Sequence, residues 1–185
     1  MAELLFPKVG ALRLGYERKD VDEFFGRARS AYEEPGIPED FAPFEVRRAS
    51  FDLKHGGYST AAVDAALDRL ETAFATRIRE RYAKENGPDA WMRDLADRAQ
   101  TLYPRLRRPE GERFAHPGTM TKGYDASDVD NLMGRLVAFF DQGTPLTPDD
   151  VRSATFGHRR GSKAYAERVV DVYLARAVDI LLGAQ

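Results

Sequence analysis

The side chains best equipped for chemistry in this 185-residue chain are three histidines, two carboxylate pairs and a tyrosine–aspartate pair that recurs. A histidine can shuttle protons near neutral pH or ligate a metal. Adjacent carboxylates can work as acid and base or hold a cation. His55, His116 and His158 are scattered, however, with no HExxH pattern and no second histidine at helical spacing. Cysteine is absent, which excludes disulfides, thiolate metal sites and a cysteine nucleophile. Asp149-Asp150 and Glu33-Glu34 read as helix-end charge. The glycines follow neither a phosphate-binding loop nor a dinucleotide fingerprint. No catalytic residue, metal ligand or cofactor is therefore predicted, and the chain is expected not to be an enzyme.

The recurring pair carries more information. A small residue and Tyr are followed, after four positions, by Val-Asp in four places. They are Gly15-Tyr16 to Val21-Asp22, Gly57-Tyr58 to Val63-Asp64, Gly123-Tyr124 to Val129-Asp130, and Ala164-Tyr165 to Val170-Asp171. The repeats have two flavours. Phe6, Gly10, Gly15 and Tyr16 match Phe114, Gly118, Gly123 and Tyr124, while Val46, Arg47, Ala49, Ser50 and Phe51 match Val151, Arg152, Ala154, Thr155 and Phe156. The order is A-B-A-B, a duplicated pair. Each tyrosine reads as a structural plug with one hydroxyl to satisfy. The glycine before it is expected to allow a positive φ or a close helix approach. The aspartate, near a first helical turn, is expected to accept bonds from loop amides.

Apolar residues after each Tyr recur at three-four spacing, as in Phe24, Phe25, Ala28 and Tyr32, or Leu132, Met133, Leu136 and Phe140. That is the stripe of a helix packing on another helix. Ser59 and Asp125 are candidate N-caps, and Thr147-Pro148-Asp149-Asp150 reads as a cap with proline at the first helical position. A further helix is expected from Pro88 or Asp89 to about Arg107. The segments before each Tyr are Gly-rich and read as turns or brief extended pieces. The predicted fold is mainly α: helical repeat units with short extended Gly-rich loops, internally duplicated A-B-A-B about a pseudo-twofold. Its expected parts are a first repeat pair (1–84), a linker helix (85–112) and a second repeat pair (113–185).

These residues resemble the N-terminal domain of the DivIVA family, bacterial coiled-coil proteins of cell division and polar growth, above all actinobacterial proteins built from repeats of that domain. Leu146-Thr147-Pro148-Asp149-Asp150-Val151, Phe156, Tyr165, Val170-Asp171 and Tyr173-Leu174 follow the family pattern, with Ala164 in place of glycine. The resemblance implies an adaptor or scaffold that meets proteins of the division or envelope-growth machinery. It also implies membrane contact through a Phe and an Arg just before Gly-Tyr. Here the Phe position holds Arg13, His55, Thr121 and Ser162, and the Arg position holds Leu14, Gly56, Lys122 and Lys163. No aromatic wedge is present, so Leu12, Leu14 and Met120 are the apolar candidates for that role. A long coiled-coil tail is not expected either.

Charge is partitioned. The loops Phe6–Tyr16, Val46–Tyr58, Arg113–Tyr124 and Val151–Tyr165 carry a net +10, and the remaining 134 residues carry −12. Two readings stay open: the loop cations pair with acidic helices, or they form a face for an anionic partner or, weakly, anionic lipid. Candidate contacts are Leu12, Arg13, Leu14, Lys54, His55, Met120, Lys122, Arg159, Arg160 and Lys163. Nucleic acid is not expected, given the net charge of −2 and no recognition helix. No leader or membrane span is read, and a cytoplasmic location is expected, with a membrane-peripheral one as the alternative.

Overall fold

The computed structural model describes residues 5–34 and 41–185, apart from the Pro88 side chain, so residues 1–4 of the stretch read as no leader lie outside it. The chain is mainly α, with small antiparallel sheets, and divides into two compact units, Met1–Arg81 and Tyr82–Gln185. Among the described residues no helix is long and apolar enough to cross a membrane.

In the first unit, β1 (Leu14–Tyr16) lies antiparallel to β2 (Leu53–His55), with Leu14 opposite His55, Gly15 opposite Lys54 and Tyr16 opposite Leu53. Helix α1 (Arg18–Glu33) follows β1, and α3 (Thr60–Asn86) follows β2. Glu17 caps α1 by accepting from the Lys19 amide. The apolar stripes of α1 and α3 meet in a core of Val21, Ala28, Ala31, Val63, Leu67 and Phe74, closed by Phe41 and Val46. Val46 comes from α2 (Pro43–Arg47), a single turn begun by Pro43. Aromatic rings fill the rest: Phe6 against Phe25 at 5.0 Å and Phe41 against Phe74 at 5.7 Å. One charge is buried here. Glu71, on α3, accepts from the Arg47 guanidinium at 2.8 Å.

The second unit holds α4 (Pro88–Gln100), α5 (Tyr103–Leu106), β3 (Lys122–Asp125), α6 (Ala126–Gln142), α7 (Pro148–Arg152), β4 (His158–Arg160), β5 (Ala164–Tyr165) and α8 (Glu167–Gly183). Its sheet runs β4-β3-β5, with Gly123 opposite Arg159 and Tyr124 opposite both His158 and Tyr165. Thr147 and Asp150 form a reciprocal capping box with Pro148 in the first turn, as the sequence suggested. Asp125 caps α6 through the Ser127 amide. Trp91 of α4 donates its indole N–H to the Gly183 carbonyl at 2.9 Å, tying α4 to the end of α8.

One helix differs from its predicted span. The helix expected to run to Arg107 stops at Gln100 and resumes as α5. Pro104 has no N–H to give the Gln100 carbonyl, so a continuous ladder is broken there. Helix α3 is longer than its apolar stripe, continuing to Asn86 until Gly87 takes φ +89° and Pro88 begins α4.

Candidate functional site

Pairing of the two loops within a unit decides where each motif residue goes. In the first unit Tyr16, on β1, and Tyr58, three residues past β2, bridge each other, and each hydroxyl reaches the helix that follows the other tyrosine. Tyr16 donates to Asp64 Oδ1 at 3.1 Å, and Tyr58 donates to Asp22 Oδ1 at 2.9 Å. The second unit has the same crossed arrangement. Tyr165 donates to Asp130 at 3.0 Å, and the Tyr124 hydroxyl faces the Asp171 carboxylate. The aspartates therefore mostly serve tyrosine hydroxyls from across the loop pair rather than loop amides. Asp130 does both, accepting from the Gly111 amide at 2.7 Å. It also faces Arg113, and this pair is buried, at 5% and 8% exposure.

The tyrosines fall into two classes. Tyr58 and Tyr165 are fully buried, while Tyr16 and Tyr124 are half-buried. The glycines beside them do not take positive φ, contrary to one expectation from sequence. They let backbones of paired strands touch, not helices. A Cβ on Gly15 would lie 2.3 Å from the Tyr58 carbonyl oxygen, one on Gly57 2.4 Å from that of Tyr16, and one on Gly123 2.1 Å from that of Tyr165. Ala164, in the fourth motif, is buried opposite Asp125 in the pairing of β3 with β5.

Burial, followed by the neighbouring aspartate, pushes the Tyr16, Tyr58 and Tyr124 hydroxyls above their usual range. Tyr165 is pushed up, first by burial, to about 12. A hydroxyl whose folded pKa is raised favours the fold while protonated. Its contribution is complete below the unfolded value of 10.0 and is lost as pH rises toward about 12. Stability is thus expected to fall across that window, together with a rise in tyrosinate absorbance. A chain that melts at the same temperature on both sides of the window would show that the hydroxyl locks contribute nothing.

Above these locks lie the loop tips. The Arg13 amide closes a turn on the Gly10 carbonyl at 2.8 Å, and the Thr121 amide closes one on Gly118 at 2.8 Å. Leu12 and Met120 occupy the same corner of these two turns and are 93% and 79% exposed. Leu14 is exposed as well. The loop cations divide. Lys54 pairs with Glu17, Arg159 with Asp125 at 2.8 Å, and Arg47, Arg113 and Arg152 with Glu71, Asp130 and Asp149. His158 lies 3.3 Å from Glu167. Arg13, His55, Lys122, Arg160 and Lys163 have no acidic partner among the described residues.

No family model, curated protein or solved structure matches this chain. The site is therefore defined by its own geometry. In the first unit His55 lies on β2; in the second His116 bonds the Ala164 carbonyl at 2.7 Å and His158 lies on β4. Among the described residues no three His, Asp or Glu side chains are gathered as metal ligands. Sequence reasoning did not find the crossed bonding, because the six-residue spacing invites a local partner. It also counted Arg113 among the loop cations without finding its partner. Asp130 lies at the Val-Asp position, so a carboxylate was visible, but its approach to Arg113 depends on tertiary pairing.

Proposed function

We propose that this chain is a non-enzymatic protein-interaction module, an adaptor or scaffold of the kind its DivIVA-like motifs imply in division or envelope growth. One observation carries the reading. The recurring tyrosines and aspartates are consumed in holding paired loops together, and the same loops present apolar tips beside uncompensated cations. Recurrent residues that bond one another support a frame, not a reaction centre. The A-B-A-B duplication belongs to the same reading, supported by crossed Tyr–Asp bonds in both units. The test is capture of proteins from the native host by immobilised chain. Leu12→Ser with Met120→Ser, at exposed positions, should remove specifically captured proteins while leaving the melting temperature unchanged. Capture identical with and without these substitutions would remove the tips from the proposal.

A second reading, peripheral association with anionic lipid, is favoured by the pairing of exposed Leu12 with Arg13 and exposed Met120 with Lys122. Each cation near an anionic leaflet contributes about 1 kcal/mol. A buried leucine or methionine contributes about 1.5–3 kcal/mol. Weak sedimentation with anionic vesicles is expected, and none with neutral ones. It should vanish near 1 M salt, where screening shortens to about 3 Å. Arg159→Glu with Arg160→Glu should reduce it further. Binding to neutral vesicles that survives high salt would instead mean that Leu12 and Met120 insert as wedges.

A further inference from the structure

We infer that a groove in the second unit, between the α4–α5 segment and the N-terminal half of α8, is the docking site for an acidic peptide segment of a partner protein. Arg105, Arg108, Arg168 and Arg176 line this groove of about 380 Å³, around Val169 and Val172. The inference rests on the reading of the chain as a partner-binding module and adds the chemistry of the partner.

Four arginines line the groove and no carboxylate lines it among the described residues. Several arginines elsewhere in this unit find acids, as Arg113, Arg135, Arg152 and Arg159 do. Arg105 is the informative one of the four. It is half-buried, yet among the described residues its Nη1 bonds only the Arg113 carbonyl, at 2.9 Å. Its guanidinium stands 4.9 Å from the centre of the Phe114 ring and 5.9 Å from that of Tyr173. These contacts hold the cation in place before any ligand arrives, so binding an anion costs little further ordering.

Spacing selects the occupant. Arg168, Val172 and Arg176 fall four residues apart on α8 and share one face. The two arginines are therefore separated by about 12 Å along the axis, too far for one phosphate to bridge. An extended chain rising about 3.3 Å per residue spans that distance in about four residues. Between the charges, Val169 and Val172 are 37% and 51% exposed. They offer an apolar seat that a bare polyanion does not use. An extended segment with acids about four residues apart and an apolar residue between them fits both features.

The test uses the full chain and a dye-labelled peptide in which Leu-Val separates two Glu-Glu pairs, followed by fluorescence anisotropy. Binding is expected, and should weaken as salt rises and the screening length shortens. Arg168→Glu with Arg176→Glu, at exposed positions, should weaken it about tenfold or more. Val172→Asp should weaken it too, as should Ser-Ser in place of Leu-Val in the peptide. Arg159→Glu with Arg160→Glu at the loop tips should leave it unchanged, which separates failure here from failure of the tip-contact reading. The inference is overturned if the groove variants bind the peptide as the parent does, or if the Ser-Ser peptide binds equally well. It is overturned also if the groove substitutions abolish binding of anionic vesicles or single-stranded DNA while sparing the peptide.

Discussion

Asp130→Ala is expected to destabilise the second unit by about 3–5 kcal/mol, the usual cost of removing one partner from a buried ion pair. The carboxylate takes the Tyr165 hydroxyl at 3.0 Å and the Gly111 amide at 2.7 Å, and it faces the Arg113 guanidinium at 3.4 Å. Alanine would strand the Tyr165 and Gly111 donors and leave the Arg113 cation, 8% exposed, with only the backbone carbonyls of Arg108 and Asp130 as acceptors. Asp22→Ala provides the contrast. Asp22 is exposed and accepts from Tyr58 at 2.9 Å. Its loss should cost about 0.5–1.5 kcal/mol, as for an ordinary hydrogen bond. Urea melts of both variants measure the difference. Equal losses at the two sites would show that burial of the second lock adds nothing.

Tyr58→Ala is expected to cost a similar amount, about 3–5 kcal/mol, through the cavity left by a fully buried ring. The ring packs 5.5 Å from Phe6, and the residue's backbone bridges to both Lys8 and Tyr16. Tyr58→Phe isolates the hydroxyl and should cost about 1 kcal/mol. Tyr16 is half-buried, so Tyr16→Ala should cost less than Tyr58→Ala. A melting temperature unchanged by Tyr58→Ala would mean that the ring is not part of the core.

Local chemistry was the part of this fold written most openly in the sequence. The Thr147–Asp150 box, the Asp125 cap and the stripes from Val21 to Ala28 and from Val129 to Leu136 each depend on residues within two turns of one another. The break at Pro104 depends on one residue, which the helix expected to run to Arg107 passed over. Continuation of α3 to Asn86 was hidden for the opposite reason. Residues 79–86 are mostly charged or polar, and a helix without an apolar stripe gives no periodic signal. The loop sites were half legible. Exposure of Leu12 and Met120 follows from their place at turn corners. Which cations were already paired did not, because Arg47, Arg113 and Arg159 find their acids only after elements distant in the chain have met.

The crossed hydroxyl bonds also bear on how such a chain can change over generations. A tyrosine's acceptor is not the aspartate six positions downstream but one 48 residues later for Tyr16 and 36 residues earlier for Tyr58. Loss of a single motif would leave one donor and one acceptor stranded in its mate, so motifs should be gained or deleted in twos. Compensating substitutions should likewise fall across those longer intervals, and the six-residue interval should show none.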